Sequence, residues 1–268
     1  MNGLEERFRR ARRRGCSLFI PYITGGYPDM KSCRRIIEAM IQAGAEVIEL
    51  GIPFSDPIAD GVTIQESTFR ALQAGATPRG VLELAGEISA SHDISIAILT
   101  YLNPVYRMGL RRFMEEASRR GVDGIIIPDL PLEEAGPVKR IAMEYGVSLI
   151  LLAAPTTSDE RLARILDETM GFAYLVSLTG TTGERDALPP TAIQLLQRSK
   201  RLNPVKPVAV GFGVSRPSQA VELARLGADG VIAGSRIISE IRRSMENPEK
   251  AVGRLVREFV KALSSPGQ

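Results

Sequence analysis

The sequence has little aromatic, histidine or sulfur chemistry. It contains no tryptophan, one histidine and two cysteines, and aromatic side chains make up 5% of its 268 residues. Two cysteines provide no disulfide framework, which favours a reduced, cytoplasmic protein. The net charge of +3 favours anionic ligands. Because few aromatics accompany the basic residues, however, the composition does not indicate a nucleic-acid partner.

The sequence also lacks long apolar runs and low-complexity linkers. No run is long enough to span a bilayer, so we expect no membrane partner. Without a linker, we expect one domain over residues 1–268. The arginine-rich start could indicate a transit peptide or a nucleic-acid arm, but Leu4, Phe8 and Ala11 form an apolar stripe at helical spacing. We therefore expect residues 1–15 to form a helix that covers one end of the domain.

Short apolar runs recur along the chain, and several follow a glycine that is well placed to end a helix. These glycines are Gly44, Gly121, Gly146 and Gly227. Runs without polar alternation indicate strands covered on both faces, as in a parallel sheet built from βα units. The runs lie at residues 17–23, 47–52, 94–101, 124–128, 148–153, 172–176, 207–210 and 230–233. Eight strands predict an α/β fold of the (β/α)8 TIM barrel type. An open doubly wound sheet is the alternative, but no dinucleotide fingerprint follows the first strand.

Carboxylates cluster at the end of the second predicted strand. Glu49 lies inside the apolar run VIEL, and the following segment GIPFSDPIADG contributes Asp56 and Asp60. A buried carboxylate loses hydration and is costly to keep ionised unless something engages it. A structural ion pair is the plain alternative for Glu49. The second carboxylate, Asp60, favours acid/base chemistry, because two carboxyl groups in different environments can divide the work.

Glycine turns follow the seventh and eighth predicted strands, at GFGVS and AGS, and each opens into a helix. In barrels these two loops commonly bind phosphate through backbone N–H groups and helix N-termini. The alternative is that the glycines permit tight turns and the serines cap helices. A third glycine-rich segment, residues 177–190, is long and polar, so we expect a mobile lid over the substrate. Arg185 or Arg236 could add positive charge at the anion site.

A set of motifs extends over residues 17–254. In order, they are FIPYITGGYPD, ELGIPFSDPIADG, TIQ, PDLPLEE, APTT, SLTGTTG, GFGVS and AGS. In order and spacing they closely resemble the tryptophan synthase alpha chain, and GIPFSDPIADG followed by TIQ is the most specific part. The resemblance implies a lyase of tryptophan biosynthesis. This lyase cleaves indole-3-glycerol phosphate reversibly to indole and glyceraldehyde 3-phosphate, with no metal and no cofactor in this chain.

The same resemblance implies roles for individual residues. Glu49 is the acid/base that moves protons between the indole C3 and the glycerol hydroxyl. Asp60 engages the indole N–H, and Thr182 in the lid bonds Asp60 on closure. The residues implied to bind phosphate are Gly183, Gly213, Gly234 and Ser235. The residues implied to line the indole pocket or its margin are Tyr22, Leu99, Tyr101, Ile126, Leu152, Tyr174 and Phe212.

The resemblance further implies a beta chain that carries pyridoxal phosphate and receives indole, in an alpha2beta2 tetramer. The residues implied at that contact are Pro53, Phe54, Asp56, Asn103, Tyr106 and Pro131. We expect Phe54, Tyr106 and Met108 to be exposed anchors, with ordinary loop packing as the alternative. Three residues depart from the pattern. Val62 replaces a proline of many relatives, Tyr22 adds a hydroxyl at the pocket edge, and Arg236 adds a cation after AGS.

Other functions remain open from the residues alone. A flavin- or sugar-phosphate-binding barrel could use the same glycine turns, and a stand-alone indole-glycerol-phosphate lyase would need no partner. A non-catalytic subunit could retain phosphate binding, although both Glu49 and Asp60 are present.

Overall fold

A computed structural model describes residues 3–176, 188–211 and 213–264. Its sheet contains nine parallel strands, β1 to β9 in chain order. They are Leu18–Thr24, Val47–Gly51, Ser95–Leu99, Gly124–Ile126, Ser148–Ile150, Leu152–Ala153, Ala173–Leu175, Val208–Val210 and Gly230–Ala233. In space the order is β5-β4-β3-β2-β1-β9-β8-β7-β6. The strands and their helices form a TIM barrel, as the sequence predicts.

The ninth strand arises from a break in one predicted strand. The run at residues 148–153 forms β5 and β6, which flank Leu151 and occupy the two ends of the sheet order. Leu151 donates its backbone N–H to the hydroxyl of Thr169 at 2.9 Å. Since β5 pairs with β4 and β6 pairs with β7, the two halves of this strand bring both edges of the sheet together. The barrel wall therefore has eight strand positions, and one of them is divided into β5 and β6.

Helices cover the outside of the barrel. In chain order, α1 to α12 are Gly3–Arg13, Met30–Gln42, Val62–Gln73, Pro78–Ser91, Leu102–Met108, Leu110–Arg119, Ala135–Glu144, Asp159–Glu168, Pro190–Leu202, Pro217–Arg225, Ser235–Arg243 and Pro248–Leu263. A short 3₁₀ turn, Leu132–Glu134, precedes α7. The long strand β1 is buried along its whole length, because helices pack on one face and the barrel interior fills the other. This explains why the apolar runs show no polar alternation.

Glycines end helices as predicted. Gly44 follows α2 with φ of 102°, and Gly227 follows α10 with φ of 97°. These left-handed conformations strain any residue with a Cβ atom. Each turn leads directly into the next strand, so all strands enter from one end of the barrel and the loops after them gather at the other end.

Helix α1 covers the end of the barrel at which the strands begin. Leu4, Phe8 and Ala11 are buried on one face of the helix, and the ring of Phe8 lies 5.1 Å from that of Phe172, just before β7. Arg7 pairs with Asp93, and Arg12 lies 3.1 Å from Asp229. These ion pairs give the basic residues of the segment structural partners. Among the helices of the described residues, none is long and apolar enough to cross a membrane.

Candidate functional site

A cavity of about 560 Å³ opens where the strands end. Side chains and backbone from most of the barrel contribute to it. Its wall includes Tyr22, Glu49, Asp60, Leu99, Leu152, Tyr174, Gly211, Gly213, Ile232, Gly234 and Ser235. The two predicted catalytic carboxylates and three of the predicted phosphate-binding residues therefore share one cavity.

Glu49 lies in the middle of β2 and is 1% exposed. Burial raises the pKa of its carboxyl to about 8, against the lowering effect of a hydrogen bond from Tyr174, and the negative charge of Asp60 raises it further. The Tyr174 hydroxyl donates this hydrogen bond to Oε2 at 3.4 Å. At neutral pH Glu49 is mainly a neutral acid that can donate a proton into the cavity.

Asp60 lies in the loop between β2 and α3 and is half-buried. Burial raises the pKa of its carboxyl to about 6, and a hydrogen bond with Tyr101 opposes this shift. The Tyr101 hydroxyl also accepts the backbone N–H of Ala59 at 3.0 Å, and Gln65 donates to the Asp60 carbonyl at 2.9 Å. At neutral pH Asp60 is therefore mainly ionised. The cavity thus combines a proton donor and a negatively charged acceptor.

Two tyrosines and two glycines shape the wall around Glu49. A methyl group on Gly211 would lie 2.2 Å from Cε2 of Tyr174, and one on Gly51 would lie 2.4 Å from the Tyr22 hydroxyl. Only glycine permits these rings to lie so close to the backbone. The extra hydroxyl of Tyr22 lies 3.2 Å from Oγ1 of Thr24. It is therefore engaged in a buried hydrogen bond.

The predicted phosphate end lies at the start of α11. Gly234 is the N-cap of this helix, makes no side-chain capping bond, and is followed by Ser235 as the first helical residue. Gly213 lies nearby in the cavity wall with φ of 62°. The free N–H groups of a helix N-terminus and a left-handed glycine turn are both suited to an anion.

Gln219 shapes the neighbouring loop, and no sequence motif pointed to it. Its Oε1 accepts the backbone N–H groups of Ser215 at 2.9 Å and Arg216 at 3.0 Å. It also accepts the Ser215 hydroxyl at 3.3 Å. The backbone N–H groups of the two residues before α10 are therefore engaged within the loop, whereas no side chain caps α11.

The predicted pocket residues divide into three groups. Tyr22, Leu99, Leu152 and Tyr174 line the cavity. Phe212 lies outside the described residues, as do Thr182 and Gly183 of the expected lid. The remaining two, Tyr101 and Ile126, are buried outside the cavity wall.

Ile126 is fully buried below the cavity, and Pro128 reaches the wall instead. Ile126 is the last residue of β4, and Pro128 lies in the turn that follows it. Tyr101 is buried behind the wall with its hydroxyl against the loop of Asp60. It supports the site from behind.

Arg161 at the start of α8 also lines the cavity, and the sequence analysis did not identify it. Its guanidinium forms a two-bond ion pair with Glu133, and the bond from Nη2 measures 2.8 Å. The partners are 28 residues apart, so no local spacing indicated the pair.

The predicted partner-contact residues form part of the rim. Asp56, Asn103 and Pro131 are exposed, and Tyr106 is 60% exposed. Pro53 is buried. Phe54 is half-buried because its ring packs 5.5 Å from that of Tyr101, so it is less exposed than expected.

Ile58, which was not among the predicted contact residues, is 79% exposed at the same rim. Helix α3 begins at Val62, with Gly61 as its N-cap.

Metal-binding and thiol chemistry have no evident site in the described ranges. No group of three or more His, Cys, Asp and Glu side chains there could hold a metal ion. Cys16 and Cys33 are both free, and burial raises the pKa of the Cys33 thiol to about 12.

Comparison with known proteins gives one consistent family. The family model described as tryptophan synthase alpha chain matches residues 8–264. The chain is 47% identical to the tryptophan synthase alpha chain of Pyrococcus abyssi, over 90% of this chain and 96% of that protein. It is 41% identical to that of Picosynechococcus sp., over 98% of both.

Solved structures agree with this result. A structure of Mycobacterium tuberculosis tryptophan synthase superposes with a TM-score of 0.91 at 32% identity, covering 98% of both chains. A structure of the tryptophan synthase α2β2 complex from Pyrococcus furiosus gives a TM-score of 0.86 at 45% identity, covering 92% of this chain and 98% of that chain.

Proposed function

The chain belongs to the tryptophan synthase alpha chain family, and we propose that its cavity is the site at which this lyase cleaves indole-3-glycerol phosphate. The products are indole and glyceraldehyde 3-phosphate. The observation that carries this proposal is the pair of carboxyl groups in one cavity, Glu49 with a pKa of about 8 and Asp60 with a pKa of about 6. Two carboxyl groups with separated pKa values can act as acid and as ion at the same pH.

Glu49 is proposed to transfer the proton that the reaction moves. Cleavage of the bond between indole C3 and the glycerol chain requires a proton at C3 and removal of a proton from the adjacent hydroxyl. Neutral Glu49 supplies the first proton, and its carboxylate then accepts the second as the aldehyde forms. The hydrogen bond from Tyr174 stabilises the carboxylate between these two steps. Glu49 ends the cycle protonated, as it began.

Asp60 is proposed to stabilise the positive charge that develops on the indole ring after C3 is protonated. An ionised carboxylate that accepts the ring N–H becomes a stronger partner as the ring gains charge, so it favours the intermediate over the substrate. Tyr101 and Gln65 hold the loop that carries it. On the resemblance alone, Thr182 is proposed to bond Asp60 in the closed state.

Gly213, Gly234 and Ser235 are proposed to bind the substrate phosphate. Gly183 joins them on the resemblance, and Phe212 joins the indole pocket on the same basis. The phosphate lies at the far end of the substrate from the ring, so binding it positions the reacting carbon between the two carboxyl groups. This chain is proposed to need no metal and no organic cofactor for this step, and to act in the cytoplasm.

The partner is proposed to be a tryptophan synthase beta chain that carries pyridoxal phosphate, in an alpha2beta2 assembly. The α2β2 complex from Pyrococcus furiosus, formed by a relative of this chain, supports this proposal. The exposed rim residues Asp56, Asn103, Tyr106 and Pro131 lie beside the cavity mouth, where a partner could receive indole.

Indole release from indole-3-glycerol phosphate tests the proposed function. We expect the isolated chain to form indole slowly, and to form it faster when the beta chain is added and both co-elute in size-exclusion chromatography. Indole formation without any effect of the beta chain would instead support a stand-alone lyase. No indole under either condition, or a yellow preparation with bound flavin, would contradict the proposal.

Asp60→Asn is expected to lower kcat for indole formation by roughly 10²-fold, since the amide cannot balance the charge on the ring. The acid limb of the pH profile near pH 6 should disappear, because it reports ionisation of Asp60. The alkaline limb should move to lower pH, because the charge of Asp60 raises the pKa of Glu49.

Asp56→Asn is the matched control for this variant, since Asp56 lies in the same loop but is exposed outside the cavity. It should keep both pH limbs in the isolated chain. An unchanged kcat in Asp60→Asn would remove Asp60 from the mechanism.

A further inference from the structure

Arg236 lines the cavity but has no role in the site described above. It is the second residue of α11, directly after Ser235, and its side chain is 18% exposed. Its Nη1 donates to Oε2 of Glu240 at 2.7 Å, one turn further along the helix. Gly234, Ser235 and Arg236 all contribute to the cavity wall. Arg236 is therefore adjacent in sequence to the proposed phosphate end and contributes to the same cavity wall.

The position is electrostatically unfavourable for an arginine when no anion is bound. Arg236 places a positive charge in the first turn of α11, near the positive end of the helix dipole. The first turn contains no acidic residue. The ion pair with Glu240 is also the less stabilising of the two possible arrangements on a helix, because its basic residue is N-terminal to its acidic one. A phosphate bound at Gly234 and Ser235 would offset both effects.

The two arginines of the wall differ in how they are paired. Arg161 directs both terminal nitrogens at Glu133. The bond from Arg236 to Glu240 engages one of the five N–H donors of a guanidinium. Arginine binds phosphate best through two parallel N–H bonds. Among contacts with the described residues, Arg236 can therefore turn toward a phosphate by giving up the bond to Glu240.

Building on the proposed function, we propose that Arg236 is a further substrate-binding residue that contacts the phosphate group and selects for its dianion. Glu240 accepts a hydrogen bond from the guanidinium and competes with the phosphate for it. When the substrate binds, the guanidinium exchanges the carboxylate of Glu240 for the phosphate oxygens. The site thereby discriminates against unphosphorylated indole glycerol.

Calorimetric titration with inorganic phosphate tests this inference without relying on catalysis. Arg236→Gln should weaken phosphate binding roughly tenfold, since it removes a charge-assisted contact. Glu240→Gln should strengthen it, because the competing carboxylate is gone. If the ion pair had only a structural role, both variants would change phosphate affinity in the same direction, since each breaks the same bond. Opposite signs therefore support the proposal, and equal signs overturn it.

Steady-state kinetics add a second readout. The KM of Arg236→Gln for indole-3-glycerol phosphate should rise about tenfold while kcat holds, because the contact is made equally in the bound substrate and the transition state. Arg236→Lys keeps the positive charge but loses the paired N–H donors of the guanidinium, so its KM and phosphate affinity should lie between those of the wild type and of Arg236→Gln. If Arg236→Gln fails to fold, Arg236→Lys is compared with the wild type instead. Phosphate affinity equal to wild type in either variant would overturn the proposal.

Arg242→Gln is the matched control. Arg242 lies on the same helix and pairs with Glu66 at 2.8 Å, but it lies outside the cavity wall. It should bind phosphate like the wild-type chain.

The experiments also distinguish failure of this proposal from failure of the proposed function. A chain that binds phosphate through Arg236 but releases no indole would refute the reaction and leave the anion contact standing.

Discussion

Replacing Glu49 with glutamine is expected to lower kcat for indole formation by roughly 10³-fold, within the range measured for a positioned acid/base. The amide has nearly the same shape but can neither supply the proton to C3 nor accept one from the hydroxyl. Because Glu49 is 1% exposed, water cannot readily take its place. The measurement is indole release by the isolated chain under saturating substrate.

The pH profile of the wild-type chain tests the same proposed roles of Glu49 and Asp60. The proposed mechanism requires Glu49 to be protonated and Asp60 to be ionised. With pKa values of about 8 and about 6, kcat/KM should fall above the first value and below the second. The maximum should therefore lie near neutral pH.

Glu46→Gln is the matched control for the activity loss. Glu46 directly precedes β2 and pairs with Arg14 at the opposite end of the barrel. This variant should retain the wild-type rate and pH profile. Near-normal turnover by Glu49→Gln would show that another group transfers the proton.

The barrel was predictable because its signal is local. Each apolar run indicates that both faces of one strand are covered, and glycines such as Gly44 and Gly227 indicate where a helix ends. The division of the fifth predicted strand was not predictable. At the break, Leu151 donates its backbone N–H to Thr169, which is 18 residues away.

The candidate site was predictable in its chemistry more than in its geometry. The carboxylates and glycine turns are short motifs, so they could be identified before their arrangement was known. The hydrogen bond from Tyr174 to Glu49 joins residues 125 apart, and the sequence contains no signal for it. Whether Ile126 or Pro128 reaches the cavity depends on the depth of each layer in the closed barrel. Strand alternation alone does not determine that depth.

The same glutamate that drives the proposed reaction should destabilise the fold at alkaline pH. Its pKa is about 8 in the folded chain, against 4.5 for an unperturbed glutamate. Between these values the unfolded chain has lost the Glu49 proton while the folded chain keeps it. The unfolded state therefore binds fewer protons, and stability falls as pH rises, by up to about 1.4 kcal/mol per pH unit. Above the folded pKa both states are ionised and the loss stops growing.

Glu49→Gln is therefore expected to be more stable than the wild-type chain, by an amount that depends on pH. The difference in unfolding free energy should be near zero below pH 4.5, where both states of Glu49 are protonated, and roughly 3 kcal/mol at pH 7. Urea unfolding at pH 4, 7 and 9 measures it, with Glu46→Gln as the control that should show no such gain. A difference that stays constant with pH would mean that Glu49 is ionised in the folded chain at neutral pH. Glu49 would then be a base from the start, and the first proton to C3 would have to come from another group.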